Sequence, residues 1–255
     1  MNLLQLLIVV PLGFMVNGPP RVLLNFKNRK KKNDQINTLL SKAYEYDETG
    51  CYEQAVKCYR SAETYFYEKN DMHNVARMTL MRALSYQAGK EHEQAIDAFM
   101  HAADMCRQVN DNESLGHVYM KMSETYEMQE IYQEAEKYQE RAMNTWQKTG
   151  DESLIKFASY RLGLTQAKLG KKRDAVLKLE TALKYYCRTF DLDKLVDVLI
   201  EAADVEAHLG AKKTALKNYR ESEQHLNRLR EYKKRDEIRE KIKKLETEIL
   251  ERSLT

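Results

Sequence analysis

The sequence predicts an all-α chain: a solenoid of five helix-turn-helix repeats closed by a C-terminal capping helix. Three observations carry that prediction. The stretch YEQAVKCYRSA at Tyr52–Ala62 returns forty residues later as HEQAIDAFMHA at His92–Ala102. Small residues keep the same period with no insertion: Ala55, Ala95, Ala135, Ala175 and Ala215, then Ala62, Ala102, Ala142, Ala182 and Ser222, and earlier in each row Ala43, Ala83, Ser123, Gly163 and Ala203. All 3 prolines precede residue 21, so nothing beyond that point removes an N–H or clashes inside a helix. Five rows at one period mean five copies of one structural unit.

Residues 1–33 form an apolar and basic extension. Met1–Val16 reads MNLLQLLIVVPLGFMV, too short for a comfortable membrane span and with no preceding Lys or Arg of the kind a signal peptide carries. FKNRKKK follows at Phe26–Lys32. Three readings stay open: a membrane-touching anchor, a signal peptide, or an extension that is disordered or packs on the first helices. For the anchor, Lys27, Arg29, Lys30, Lys31 and Lys32 are the basic patch facing acidic lipid or a partner. Apolar insertion plus basic charge is a two-signal combination, and lipid co-sedimentation with and without residues 1–32 tests it.

Residues 34–233 hold the repeats, at about 34–70, 71–110, 111–150, 151–190 and 191–233. Each row reads as helix A, a turn and helix B; the first row places A near Asp34–Asp47, Gly50 at the turn and B near Tyr52–Lys69. Gly170 and Gly210 repeat the turn glycine, whereas Lys90 and Glu130 replace it. Asp71, Asp111, Asp151 and Asp191, with Glu231 last, mark the starts of the next A helices. An acid there caps the new helix and suits its positive end. The small residues let antiparallel backbones approach, and Tyr59, Phe99, Leu179 and Tyr219, each four after the Ala, fill the gaps. Gln139 stands there in row three, beside Tyr138, which points to a rotated or looser repeat.

The last segment, 234–255, carries Ile238, Ile242, Leu245 and Ile249 at spacings of four, three and four, one apolar stripe under charged flanks. It does not continue the ladder, because Lys243 falls where a small residue belongs. Its expected role is to cap the apolar end of the stack; a short coiled coil is the alternative.

The pattern small–x2–aromatic in helix A, followed by A-x3-[YF]-x2-A in helix B, resembles the tetratricopeptide repeat, in a long variant with period 40 and no closing proline. It is similar to long-helix members of scaffolding, vesicle-fusion adaptor and bacterial peptide-receptor type. The resemblance implies a right-handed solenoid, with successive A helices lining a concave groove for an extended or helical peptide. Carried over by position, the partner-binding residues are Arg77, Leu80 and Leu84 in row two, and His117, Met120, Lys121 and Glu124 in row three. Row four supplies Phe157, Tyr160, Arg161, Leu164 and Lys168, and row five Asp197, Ile200, Glu201 and Asp204. Rows two to four are apolar with basic spots and row five is acidic, which fits a protein or peptide ligand with apolar and acidic residues. The family's clamp for chaperone tails uses paired Asn and Lys, and no Asn stands at these positions.

Enzyme chemistry finds no support. The histidines at 73, 92, 101, 117, 208 and 225 never fall three or four apart, so no helical metal pair exists. Glycine-rich phosphate loops and the GxSxG turn are missing. Cys51, Cys58, Cys106 and Cys187 form no CxxC pair and read as free thiols of a reducing compartment, consistent with the cytoplasm; Cys106 and Cys187 read as small core hydrophobes. Trp146, in the same row, reads as core. No cofactor or metal is expected. Net charge is +6 over residues 1–33, −8 over 34–210 and +5 over 211–255. No continuous basic face or base-reading motif emerges, and no nucleic-acid partner is expected. The function these readings support is a non-enzymatic interaction adaptor or scaffold; the alternatives are a membrane-associated trafficking adaptor and a peptide-sensing regulator.

Overall fold

The computed structural model describes residues 32–189 and 192–254. They are helical apart from short turns, with no strand among the described residues. The chain divides into two compact units, Met1–Gly150 and Asp151–Thr255. In the first, α1 (Lys32–Glu48) and α2 (Tyr52–Glu68), α3 (Met72–Ala88) and α4 (His92–Gln108), and α5 (Asn112–Met128) and α6 (Tyr132–Thr149) form three A/B pairs. In the second, α7 (Glu152–Lys168) with α8 (Lys172–Thr189) and α9 (Leu192–His208) with α10 (Lys212–Leu229) form two more, followed by α11 (Tyr232–Leu254). Within each unit neighbouring helices pack in chain order, so the expected all-α repeat solenoid is the fold class observed.

The local rule is tighter than the forty-residue period. Helices start every twenty residues, and a left-handed residue stands two positions before the start. Its φ is +77° at Gly50, +55° at Asn70, +63° at Lys90, +55° at Asn110 and +60° at Glu130, and again +63° at Arg230. This conformation ends one helix and turns the chain into the next. It strains an L side chain by about 1 kcal/mol or more, yet the fold accepts Lys90, Glu130 and Arg230 there. That is why a search for glycine finds only part of the pattern. Asp71, Asp111 and Asp151 cap as expected: their carboxylates accept from the N–H groups of Asn74, Ser114 and Leu154. Asp191 and residues 1–31 lie outside the described residues.

The small-residue ladder is the spine of the packing. Ala43, Ala55, Ala62, Ala83, Ala95 and Ala102 are all fully buried, as are Ala135 and Ala142 in the third row. In the second unit, Ala175, Ala182, Ala203 and Ala215 match them. The close approach is measurable at Gly163, where an added Cβ would lie 3.0 Å from Leu179 Cγ and 3.2 Å from the Ala175 carbonyl. Row three is neither loose nor rotated. Gln139 is fully buried and donates to Glu127 Oε1 at 2.6 Å. Tyr138 stacks on Tyr126 with ring centres 5.5 Å apart. Similar polar links join A to B elsewhere: Tyr59 to Asp47 at 2.8 Å and Asn218 to Glu206 at 2.8 Å. Each spans twelve residues, the distance from the end of helix A into helix B.

The last helix covers the end of the repeats and keeps their spacing. Tyr232 starts α11 forty residues after Leu192 starts α9, so α11 stands where a sixth A helix would. Its stripe of Ile238, Ile242 and Leu245 is buried against Val196, Ile200, Ala203 and Leu226 of the same unit. Lys243 interrupts nothing, because its side chain is 70% exposed and among the described residues no further helix follows α11. The apolar stripe of α11 is therefore used inside the chain.

Candidate functional site

The positions singled out on the A helices meet different fates in the two units. On α3, Leu80 and Leu84 are buried and Arg77 is half-buried, its charge acting on the buried Tyr44 phenol. On α5, His117, Met120 and Lys121 are all buried. The His117 ring lies 4.6 Å from the Trp146 ring. Burial, and to a lesser degree the Lys121 charge, holds its pKa down to about 3, so His117 is neutral. Lys121 Nζ lies 2.7 Å from Glu124 Oε2, with the two side chains only 5% and 16% exposed. The cationic spots expected at 117 and 121 are thus absent. One is an uncharged ring packed on an indole, and the other is neutralised within its own helix.

The reason is the position of Trp146. Its indole reaches from α6 onto the backbone of α5 at Gly116, and its Nε1 donates to the Glu113 carbonyl at 3.1 Å. The first unit therefore uses these A-helix residues as core. Trp146 itself is core, as expected. Cys106 is buried too, and its thiol is pushed up to about 12, mainly by burial. Cys187 is a correction: it is exposed, because the helical phase carries it one position beyond the buried Tyr186.

In the second unit the A-helix face is only partly exposed. On α7, Phe157, Arg161 and Leu164 are half-buried, Tyr160 is buried and Lys168 is exposed. On α9, Asp197, Glu201 and Asp204 are exposed at positions i, i+4 and i+7, with Ile200 buried beneath them. That spacing puts three carboxylates on one helical face. Tyr160 donates its hydroxyl to Glu201, and burial together with the Glu201 charge raises the phenol's pKa.

Two residues of the site escaped the sequence reading. Lys234 Nζ meets Asp197 Oδ1 at 2.5 Å. Lys241 Nζ meets both Asp204 oxygens, at 2.6 and 2.8 Å, and sits over the Tyr219 ring, 5.6 Å from its centre. Both pairs span 37 residues. A cue was present: the lysines are seven apart, like the acids they meet. Reading it required knowing that α11 lies beside α9 with the same direction and register. Lys27, Arg29, Lys30 and Lys31 lie outside the described residues, and Lys32 opens α1. No helix among the described residues is long and apolar enough to cross a membrane.

No family model matches the sequence, and no curated protein matches it. Solved structures do match in fold. The TPR-like repeats of a kinesin light chain from Podospora anserina align at 14% identity and TM-score 0.65, over 80% of this chain and 100% of that one. RapI in its apo form aligns at 16% identity and TM-score 0.71, over 80% of this chain and 57% of that one, so the likeness reaches little more than half of RapI. The Rap conjugation regulator of plasmid pLS20, in complex with the Phr* peptide, aligns at 14% identity and TM-score 0.59, over 87% of this chain and 69% of that one. The fold is that of TPR-like helical-repeat proteins.

Proposed function

We propose that the chain is a non-enzymatic interaction module that binds a peptide or helical segment of another protein on the A-helix face of its second unit. The observation that carries this reading is the solvent-exposed acidic row Asp197, Glu201 and Asp204 on α9, which also meets Lys234, Tyr160 and Lys241 within the chain. It lies beside half-buried Phe157 and Leu164 of α7. Apolar anchors would lodge against α7, and a basic part of the partner would meet α9. Row three contributes no exposed cation at 117 or 121, and Arg77 of row two is half-buried, so a requirement for acidic residues in the partner rests on Arg161 and Lys168. The likeness to a Rap regulator solved with a peptide supports the class of ligand. It also makes a peptide-sensing regulator the second reading.

The test is affinity capture from the native source followed by mass spectrometry. Wild type is compared with the triple variant Asp197→Asn, Glu201→Gln, Asp204→Asn. Partners lost by the variant at unchanged helicity support the reading. An identical set of captured proteins overturns it.

A further inference from the structure

We infer that the A-helix face of the first unit, around His117, Met120 and Lys121, is the docking site of the chain's own apolar segment Met1–Val16, which lies outside the described residues. One repeat position shows that this face needs a cover. Ser41, Met81 and Lys121 stand forty apart on α1, α3 and α5. Ser41 is exposed, Met81 is half-buried and Lys121 is buried. Four positions earlier, Asn37 and Arg77 are half-buried and His117 is buried. On α5 every residue from Ser114 to Ser123 is buried, so that helix is covered on all its faces. Within the unit α5 packs mainly on α4 and α6. Helix α3 has the equivalent neighbours, α2 and α4, and still leaves Arg77 and Met81 half-buried.

An uncharged, apolar cover fits the face. Lys121 is neutralised by Glu124 at 2.7 Å, and Leu80, Leu84 and Met120 beside it are buried. Residues 1–16 contain no charged side chain. Two polar atoms also ask for a partner. His117 Nε2 and Ser114 Oγ are buried with no hydrogen-bond partner among the described residues, and both residues are less than a tenth exposed. Backbone groups of a docked segment would satisfy them. The reach suffices. Residues 17–31 span up to about 50 Å when extended, whereas two helix spacings, roughly 20 Å, separate α1 from α5. The first helix starts on the edge where Ser114 and His117 open α5, because the A helices run parallel. Docked there, the segment closes the first unit to partners and is itself withheld from lipid, which leaves the second unit free to bind.

Amine labelling of the full chain tests this. Under brief acylation mapped by mass spectrometry, Lys121 of wild type should be protected relative to Lys42 and Lys90, which are exposed in the same unit. Leu7→Glu with Val9→Glu should raise the Lys121 rate about tenfold or more, because two buried aliphatic groups are replaced by charges. The rates of Lys42 and Lys90 and the circular dichroism should not change. In a second variant, Phe14→benzoylphenylalanine, photo-crosslinks should join position 14 to residues 72–128 of the same molecule. Equal protection of Lys121 in wild type and the glutamate variant overturns the inference, as does wild-type Lys121 reacting as fast as Lys42. Crosslinks confined to a second copy, or to added phosphatidylserine vesicles, also overturn it. If the glutamate variant loses helicity, the crosslink alone decides.

Discussion

The Trp146 indole rests on the backbone of α5 at Gly116, so closely that a Cβ at 116 would come within 2.3 Å of Nε1. Helix propensity alone would favour alanine there by about 1 kcal/mol. Overpacking against a rigid ring pinned to a backbone carbonyl costs about 3 kcal/mol, so the clash wins. Gly116→Ala should destabilise by about 2 kcal/mol in denaturant unfolding. Trp146 is the only tryptophan of the chain, and its emission should shift to the red as the indole is displaced. A variant as stable as wild type would contradict this packing.

The buried Asp47 carboxylate joins three helices. Tyr59 of α2 donates to one oxygen at 2.8 Å and Ser85 of α3 to the other at 2.7 Å. Burial raises its pKa, and the two hydroxyls pull it back. Asp47→Ala leaves the Tyr59 hydroxyl without its acceptor, while Ser85 keeps the Met81 carbonyl at 3.2 Å, and should cost about 2 kcal/mol, against about 1 kcal/mol for Tyr59→Phe. A double-mutant cycle should show the two changes coupled by more than about 0.5 kcal/mol. Simple additivity would mean that the carboxylate does not hold the tyrosine.

Glu206 should make the second unit pH-sensitive. Burial pushes its carboxyl up to about 7; Asn218 and Lys217 lower it, and Glu180 raises it. A raised folded-state pKa means the fold holds the proton more tightly than the unfolded chain does. That contribution is complete below pH 4.5, the ordinary glutamate value, and is lost as pH rises through about 7. Glu206→Gln keeps an acceptor for Asn218 and removes the titration. The two proteins should unfold alike near pH 4.5, with the variant ahead by roughly 2 kcal/mol at pH 8. A difference that does not change with pH would refute the assignment.

Thiol labelling separates the cysteines. Cys187 is exposed and Cys106 buried, so a thiol reagent should modify Cys187 in the native protein and reach Cys106 only on unfolding. Cys187 reacts through its minor thiolate form, since burial raises its pKa somewhat, and its rate should climb with pH. Peptide mapping after brief labelling reads the order directly. Native modification of Cys106 ahead of Cys187 would reverse the assignment of the two faces.

The repeat was legible from residues alone because its cause is short-range. A small side chain at Ala55 or Gly163 is demanded by the helix packed next to it, twelve residues away in the chain, and that demand recurs in every row. The aspartate caps are more local still, as at Asp111 and Ser114. The left-handed turns were half visible: glycine advertises the conformation at Gly50, while Lys90 and Glu130 adopt it without a signature.

The site was decided elsewhere. Position in the ladder assigned Lys121 and Asp197 to the same face, and only tertiary structure separated them. Lys121 is neutralised by Glu124 under a packed surface, whereas Asp197 stands open and shares Lys234. Charge availability depends on burial and on partners supplied by helices dozens of residues distant, and neither is periodic in the chain. Sequence by itself therefore determined which backbones approach one another. Folding determined which charges are left to meet a partner, because desolvation and ion pairing act across space without regard to repeat number.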